Sequence, residues 1–233
     1  MSSGRVLGVD ACRAGWAGIA LSGGEARAYF APAIRELAGR AAADGPLLVI
    51  AIDIPIGLAD AGRRGADVLA RKELGARWPS VFITPVRAAV EAADYQAAAA
   101  ENRRLAGEGL SRQAFALRAR ILDVDEWLQA GSPAPARVVE AHPELSFSAM
   151  AGAPLRSRKH TWAGAAQRRA LLAQAGIVLD DDLGLAGEHA GVDYVLDAAA
   201  AAWTARRVSH GSARCLPPSP EVFSDGIPAA IWT

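Results

Sequence analysis

The sequence predicts an α/β fold. The expected core is a mixed five-stranded sheet, a three-strand antiparallel part plus parallel strands, flanked by helices and carrying a helical insertion between strands 4 and 5. Three observations lead there. Short apolar runs near the N-terminus are joined by a Ser-Gly-Gly turn, the signature of a hairpin. Two later branched-apolar runs each lead into helical patterns. Between those runs, 83 residues separate Asp53 from Arg137, far more than one crossover needs, and most of them have helical periodicity.

The elements follow in order. "RVLGV" (5–9) is a buried strand ending at Asp10. "WAGIAL" (16–21) and "ARAYFA" (26–31) are the next two, turned by Ser22, Gly23 and Gly24. Residues 33–43 are expected to be helical, and "LLVIAI" (47–52) is the fourth strand, ending at Asp53. In the insertion, "GRRGADVLARKELGAR" reads as one helix and 87–107 as an alanine-rich second. Residues 111–131 read as a third, with Ser111 as N-cap and Ala114, Leu117, Ile121, Val124 and Leu128 on one face. "GSPAPA" (131–136) reads as a linker-like break, and "RVVEAH" (137–142) as the fifth strand, stopped by Pro143. Helices are expected at 144–150, 163–175 and 192–209, and the proline-rich end after Cys215 as a surface wrap. The whole, 1–233, reads as a single domain with its insertion at about 60–135.

Composition narrows the function. With 52% hydrophobic residues and 25 basic against 25 acidic groups, the chain can bury a sizeable core and is not a strongly basic nucleic-acid binder. Cys12 and Cys215 make neither a disulfide framework nor a Cys/His zinc site. Reduced thiols, no secretory pattern and no run apolar and long enough for a membrane span predict a cytoplasmic protein with no membrane partner. Nothing in the sequence sets an oligomeric state. There is no G-x-x-x-x-G-K-[ST] loop, no G-x-G-x-x-G after a strand and no G-x-S-x-G elbow.

What stands out is acid at strand ends. Asp10, Asp53 and Glu140 lie at or near the carboxyl ends of expected strands, where ligands of α/β sheets gather. Asp193 and Asp197 share one face of the last helix, four residues apart. The run "AAAAA" (198–202) suits a helix pressed close to the sheet, bringing Asp197 near those ends. Converging carboxylates repel and need a compensating cation, and hard divalent ions such as Mg²⁺ or Mn²⁺ take oxygen ligands without help from His or Cys.

Other residues carry two readings each. Arg13 contacts a phosphate or pairs with an acid. Arg71 forms a helix pair with Asp67 or serves the site, and Arg87, after the rigid "TPV", could reach the cleft. "RSRKHTW" (156–162), with Lys159, is a phosphate-contacting patch or a solvated loop. His142 is a base or water-positioning group, or a buried structural histidine. For Trp16, Trp127, Trp162, Trp203 and Trp232 the expectation is core packing.

A hairpin-joined β-β-β followed by αβαβα is the order of the ribonuclease H-like fold. "GVDACRAGWAGIAL", "AIDIPIGL", "SVFITPVRAAV", "VEAHPELSF", "VLDAAAAAWTARR" and "DGIPAAIWT" resemble, nearly end to end, the successive motifs of a bacterial domain-of-unknown-function 429 family of predicted ribonuclease H-like nucleases. The resemblance implies Asp10, Asp53, Glu140 and Asp197 as catalytic metal ligands for Mg or Mn, with Asp193 an extra acid and Glu144 a further candidate. It implies nucleic acid as partner and metal-dependent phosphodiester hydrolysis as activity. The long gap between strands 4 and 5 departs from a minimal domain of this type, and its helical insert could restrict substrate entry. Two alternatives remain open: Mg-nucleotide phosphotransfer of the actin-like or sugar-kinase type, for which a chain with no internal repeat is short, and a non-catalytic binding protein retaining the fold.

Overall fold

The computed structural model describes residues 4–131 and 136–233, so most of the expected break at 131–136 lies outside the described residues. The chain divides into two compact units. Among the described residues, one comprises 4–53, 136–214 and 232–233, and the other 54–131 and 215–231.

The first unit opens with β1 (Arg5–Ala11), β2 (Trp16–Ser22) and β3 (Glu25–Ala31). Gly23 and Gly24 turn the β2–β3 hairpin with φ of 57° and 93°, left-handed values that glycine adopts without a Cβ clash. After α1 (Ile34–Ala43) comes β4 (Leu47–Asp53), and later β5 (Arg137–Ala141). β1 pairs antiparallel with β2 and parallel with β4, and β4 pairs parallel with β5. The order within this unit is β3-β2-β1-β4-β5. Helices α7 (Pro143–Ala151), α8 (Trp162–Gln174), α9 (Leu185–His189) and α10 (Val192–Ser209) complete it.

α10 is the central helix, and its sequence explains why. Ala198 to Ala202 are all fully buried against the sheet. A Cβ built on Gly8 would lie 1.9 Å from the Ala202 amide nitrogen and 2.2 Å from the Ala198 carbonyl oxygen. A glycine on β1 and five alanines on the helix thus let two backbones meet. Val49, Ala51, Val139 and Ala141 share this face and its core cluster. α1 lies on the other face, where a Cβ on Gly18 would press on Leu37 and Leu7. α7 is tied to α10 by a buried hydroxyl pair, Ser146 with Thr204 at 2.8 Å.

The second unit holds α2 (Gly65–Leu74), α3 (Arg87–Glu91), α4 (Tyr95–Ala106), α5 (Arg112–Ala116), α6 (Arg118–Gln129), β6 (Cys215–Val222) and β7 (Pro228–Trp232), the last ending in the first unit. Two expected helices are each broken in two. The 87–107 helix stops at Glu91 because Asp94 starts a new one, its carboxylate accepting from the Gln96 and Ala97 amides at 2.9 Å. The 111–131 helix is interrupted at Leu117, although Ser111 caps its start as expected. Among the described residues the strands number seven, not five. β6 and β7 are neighbours formed by the expected surface wrap, and the prolines of β6, which cannot donate to a ladder, hid it from a strand reading. Asp225 and Glu221 fasten this tail inside the unit, accepting from the Leu58 amide at 2.9 Å and the Gly65 amide at 2.7 Å. Among the described residues no helix is long and apolar enough to cross a membrane.

Candidate metal centre

Asp10 and Asp53 are register partners at the carboxyl ends of adjacent parallel strands, so their side chains leave the sheet on the same face. That face is the one α10 covers, since Gly8 and Ala51, two residues earlier on each strand, face Ala198 to Ala202. Asp197 stands one residue before this contact. Each carboxylate offers one oxygen, and the three oxygens lie within 4.8 Å of one another. Asp10 is 5% and Asp197 2% exposed, and Asp53 is partly buried. All three lie in the first unit.

Bringing three acids together is costly: at that spacing each ionised pair repels by roughly 3–4 kcal/mol at an effective dielectric of 20. The acids respond by holding protons. Burial, then Asp53 and Asp197, raise Asp10 well above the ordinary carboxylate range. Burial carries Asp53 to about 7, with Lys159 opposing and Glu144 assisting. Asp197 is raised to about 6 by burial, against the pull of Lys159.

Lys159 is the internal counter-charge. Its Nζ donates to Asp197 Oδ2 at 2.6 Å and lies 3.9 Å from Asp193. Burial disfavours its charge, yet Asp197, Asp10 and Asp53 hold its pKa above the ordinary lysine value, so it is an ammonium. Three carboxylates and one ammonium leave two negative charges when ionised, the complement of a divalent cation. Asp197 Oδ1 is buried without a hydrogen-bond partner, a lone-pair donor left for a ligand. An all-oxygen donor set with one orphaned buried oxygen fits a hard divalent ion. The triad can therefore hold a metal ion.

A further layer supports the triad. Arg168, fully buried on α8, donates to the Ser157 and Gly164 carbonyls at 3.3 and 3.2 Å and pairs with Glu144. It anchors the loop carrying Lys159 and pairs with Glu144, whose charge raises Asp53 and Asp197. Tyr194 stands beside Lys159, its ring centroid 5.9 Å from Nζ.

The other expected site residues are placed as follows. Glu140 does not join the triad, which corrects its expected place as a ligand. It is in register with Ile52, not Asp53, so it leaves the sheet on the opposite face. Asp193 is one turn out from Asp197 and faces His160 Nδ1 at 3.3 Å. Glu144 borders the triad, its charge acting on Asp53 and Asp197 while it pairs with Arg168. Lys159, expected in a phosphate-contacting patch or a solvated loop, is turned inward onto Asp197. Arg13 is exposed in the β1–β2 turn. His142 is the N-cap residue of α7, and its carbonyl accepts from the Leu145 and Ser146 amides.

Arg71 and Arg87 belong to the second unit. Arg71 donates to the Val81 carbonyl at 2.8 Å and stacks on Trp78, not on Asp67, which accepts from the Thr84 amide. Arg87 is taken up by Asp125, Asp225 and Glu91, so it is a structural tie rather than an arm reaching outward. Trp162 corrects the expectation of core packing: it is 91% exposed.

Sequence reading missed the inward role of Lys159, together with Arg168 and Tyr194. One signal was available for the lysine. Lys72 and Lys159 are the only lysines among 25 basic residues, and a compact ammonium at a crowded acid cluster is a place where arginine does not substitute.

No match is found among curated proteins or among solved structures. A family model does match, over residues 8–222, a span that contains Asp10, Asp53, Lys159 and Asp197. The chain belongs to the family described as "Protein of unknown function (DUF429)".

Proposed function

We propose that this protein is a ribonuclease H-like, metal-dependent nuclease that hydrolyses phosphodiester bonds with Mg²⁺ or Mn²⁺ held by Asp10, Asp53 and Asp197. One observation carries the reading: three carboxylates from two adjacent parallel strand ends and a covering helix converge on one spot, with a buried oxygen unpartnered. The strand order β3-β2-β1-β4-β5, antiparallel then parallel, supports the ribonuclease H-like assignment. Cys12 and Cys215 are not joined in a disulfide, which agrees with action in the reducing cytoplasm.

A divalent ion bound there supplies an activated water and neutralises charge at the phosphate in such hydrolysis. The chain's own residues do the rest. Asp10 and Asp53 are fixed by strand pairing, so little ordering is left for the moment of binding. Lys159 orients Asp197 and adds a positive charge beside the acids. Arg168 holds Glu144 in an ion pair at the edge of the acids.

The test is a panel of end-labelled single-stranded, duplex, hybrid and branched DNA and RNA, incubated with the protein and Mn²⁺ or Mg²⁺. Cleavage that EDTA and Asp10→Asn both abolish is expected. Metal binding with no cleavage across the panel, or ATP turnover in its place, would overturn the nuclease assignment.

A further inference from the structure

Next to the triad, within the same unit, is a groove of about 750 Å³ lined by Lys159, His160, Trp162, Arg169, Val192 and Asp193 among others. Its volume is that of a small-ligand site, which typically spans about 300–1,000 Å³. Lys159 belongs to both places: it lines the groove and donates to Asp197.

Three features define what the groove is suited to hold. Trp162 and Arg169 sit at i and i+7 of α8, with Ala165 and Ala166 between them at i+3 and i+4, so a bulky ring and a guanidinium flank a small-residue saddle on one helix face. The Trp162 indole is 91% exposed and Val192 62% exposed, so aromatic and aliphatic surface stands open to solvent. The charge is mainly basic. Lys159 and Arg169, beside the His160 imidazole, face a single acid, Asp193, and that acid is already approached by Lys159 at 3.9 Å and His160 at 3.3 Å. Arg169, exposed, makes no hydrogen bond or ion pair among the described residues.

We propose that this groove is a subsite for one unpaired nucleotide of a nucleic-acid strand, its base stacked on Trp162 and its phosphate facing Arg169 and His160. The inference deepens the nuclease reading and rests on it for the strand's neighbouring phosphodiester, which Lys159 would lead toward the acids. An indole face with cations around it binds a base and its phosphate together. A duplex hides its base faces in the stack and cannot offer one to Trp162, so the site selects single-stranded or frayed segments.

The experiment measures fluorescence anisotropy of a labelled mixed-sequence 12-nucleotide single strand against the full chain carrying Asp10→Asn, in EDTA so that nothing is cut. The same strand in a perfect duplex and a mononucleotide competitor are run alongside. Expected are tighter binding of the single strand than of the duplex, and a loss of roughly 5- to 150-fold on Trp162→Ala, the size of one base–aromatic stack. Trp162→Phe should stay within about threefold and Arg169→Ala should weaken binding. Both positions are exposed, so folding is expected to be intact, with circular dichroism as the check. Unchanged affinity in Trp162→Ala, equal or tighter duplex binding, no binding at all, or a mononucleotide competing as well as the strand would each overturn the subsite. Its failure is separable from that of the nuclease reading. Strand binding lost in Trp162→Ala, with no cleavage by the native protein in Mn²⁺, keeps the subsite and removes the nuclease. Metal-dependent cleavage with Trp162→Ala binding unchanged does the reverse.

Discussion

At the scale of single residues, the site is a contest between repulsion and three remedies: protons, a lysine and a cation. The raised carboxylates give the metal-free protein a defined pH dependence. Asp53 titrates at about 7 and Asp197 at about 6 when folded, whereas in the unfolded chain both fall near the ordinary 3.8. Between roughly pH 4 and 7 the folded state therefore holds protons that the unfolded state has released, and stability falls as pH rises. Urea denaturation in EDTA should show the protein more stable at pH 5 than at pH 8, by on the order of 2–4 kcal/mol from these groups. Asp53→Asn should flatten the profile, and a profile unchanged by that substitution would contradict the assignment. Lys159 acts in the opposite sense. Lys159→Met leaves Asp197 without its ammonium, and a destabilisation of roughly 1–3 kcal/mol is expected at pH 8 in EDTA. Saturating Mg²⁺ should stabilise this variant more than the native protein, because the ion then takes over the missing positive charge. Chemical denaturation with and without metal measures both.

At the scale of elements, the site depends on how closely α10 lies on β1. Gly8→Ala places a methyl against the Ala198 and Ala202 backbones, which cannot move aside as a flexible side chain would. A loss of about 1–3 kcal/mol or more is expected, read as a lowered Tm, together with weakened metal affinity because α10 carries Asp197. A Tm within a degree of native would show that the helix is not held this tightly. Much of this was legible in the sequence. Apolar runs ending in Asp10 and Asp53 announced strands that present acids, and the alanine run announced a helix close enough to deliver Asp197. Glu140 was not legible, because a one-residue difference in register turns a side chain to the other face and sequence does not fix register that finely. The inward role of Lys159 is not legible in the sequence, because its partner is 38 residues away, beyond any local pattern. The loop's inward turn depends on Arg168, whose helical setting gave no hint of burial. Strands β6 and β7 were hidden by prolines that usually argue against a sheet.

At the scale of the whole molecule, the balance of 25 basic and 25 acidic groups rules out binding by bulk charge. The proposed affinity for a nucleic-acid strand would come from a few local cations, chiefly those of the groove. With two or three phosphates neutralised, log K should fall with log salt at a slope of about −1.4 to −2.1, taking −0.7 per contact for a single strand. A slope steeper than about −4 would point to an extended basic track that this charge distribution does not provide. The nuclease reading turns on whether the three aspartates are a metal site. The most direct measurement is isothermal titration calorimetry of Mn²⁺ into the metal-free protein at pH 6 and pH 8, beside Asp10→Asn and Asp197→Asn. Saturable binding of one or two ions, tighter at pH 8 because Asp53 and Asp197 no longer hold protons, and lost in both variants, is the predicted result. No saturable heat in the native protein, or binding that survives both substitutions, would contradict it.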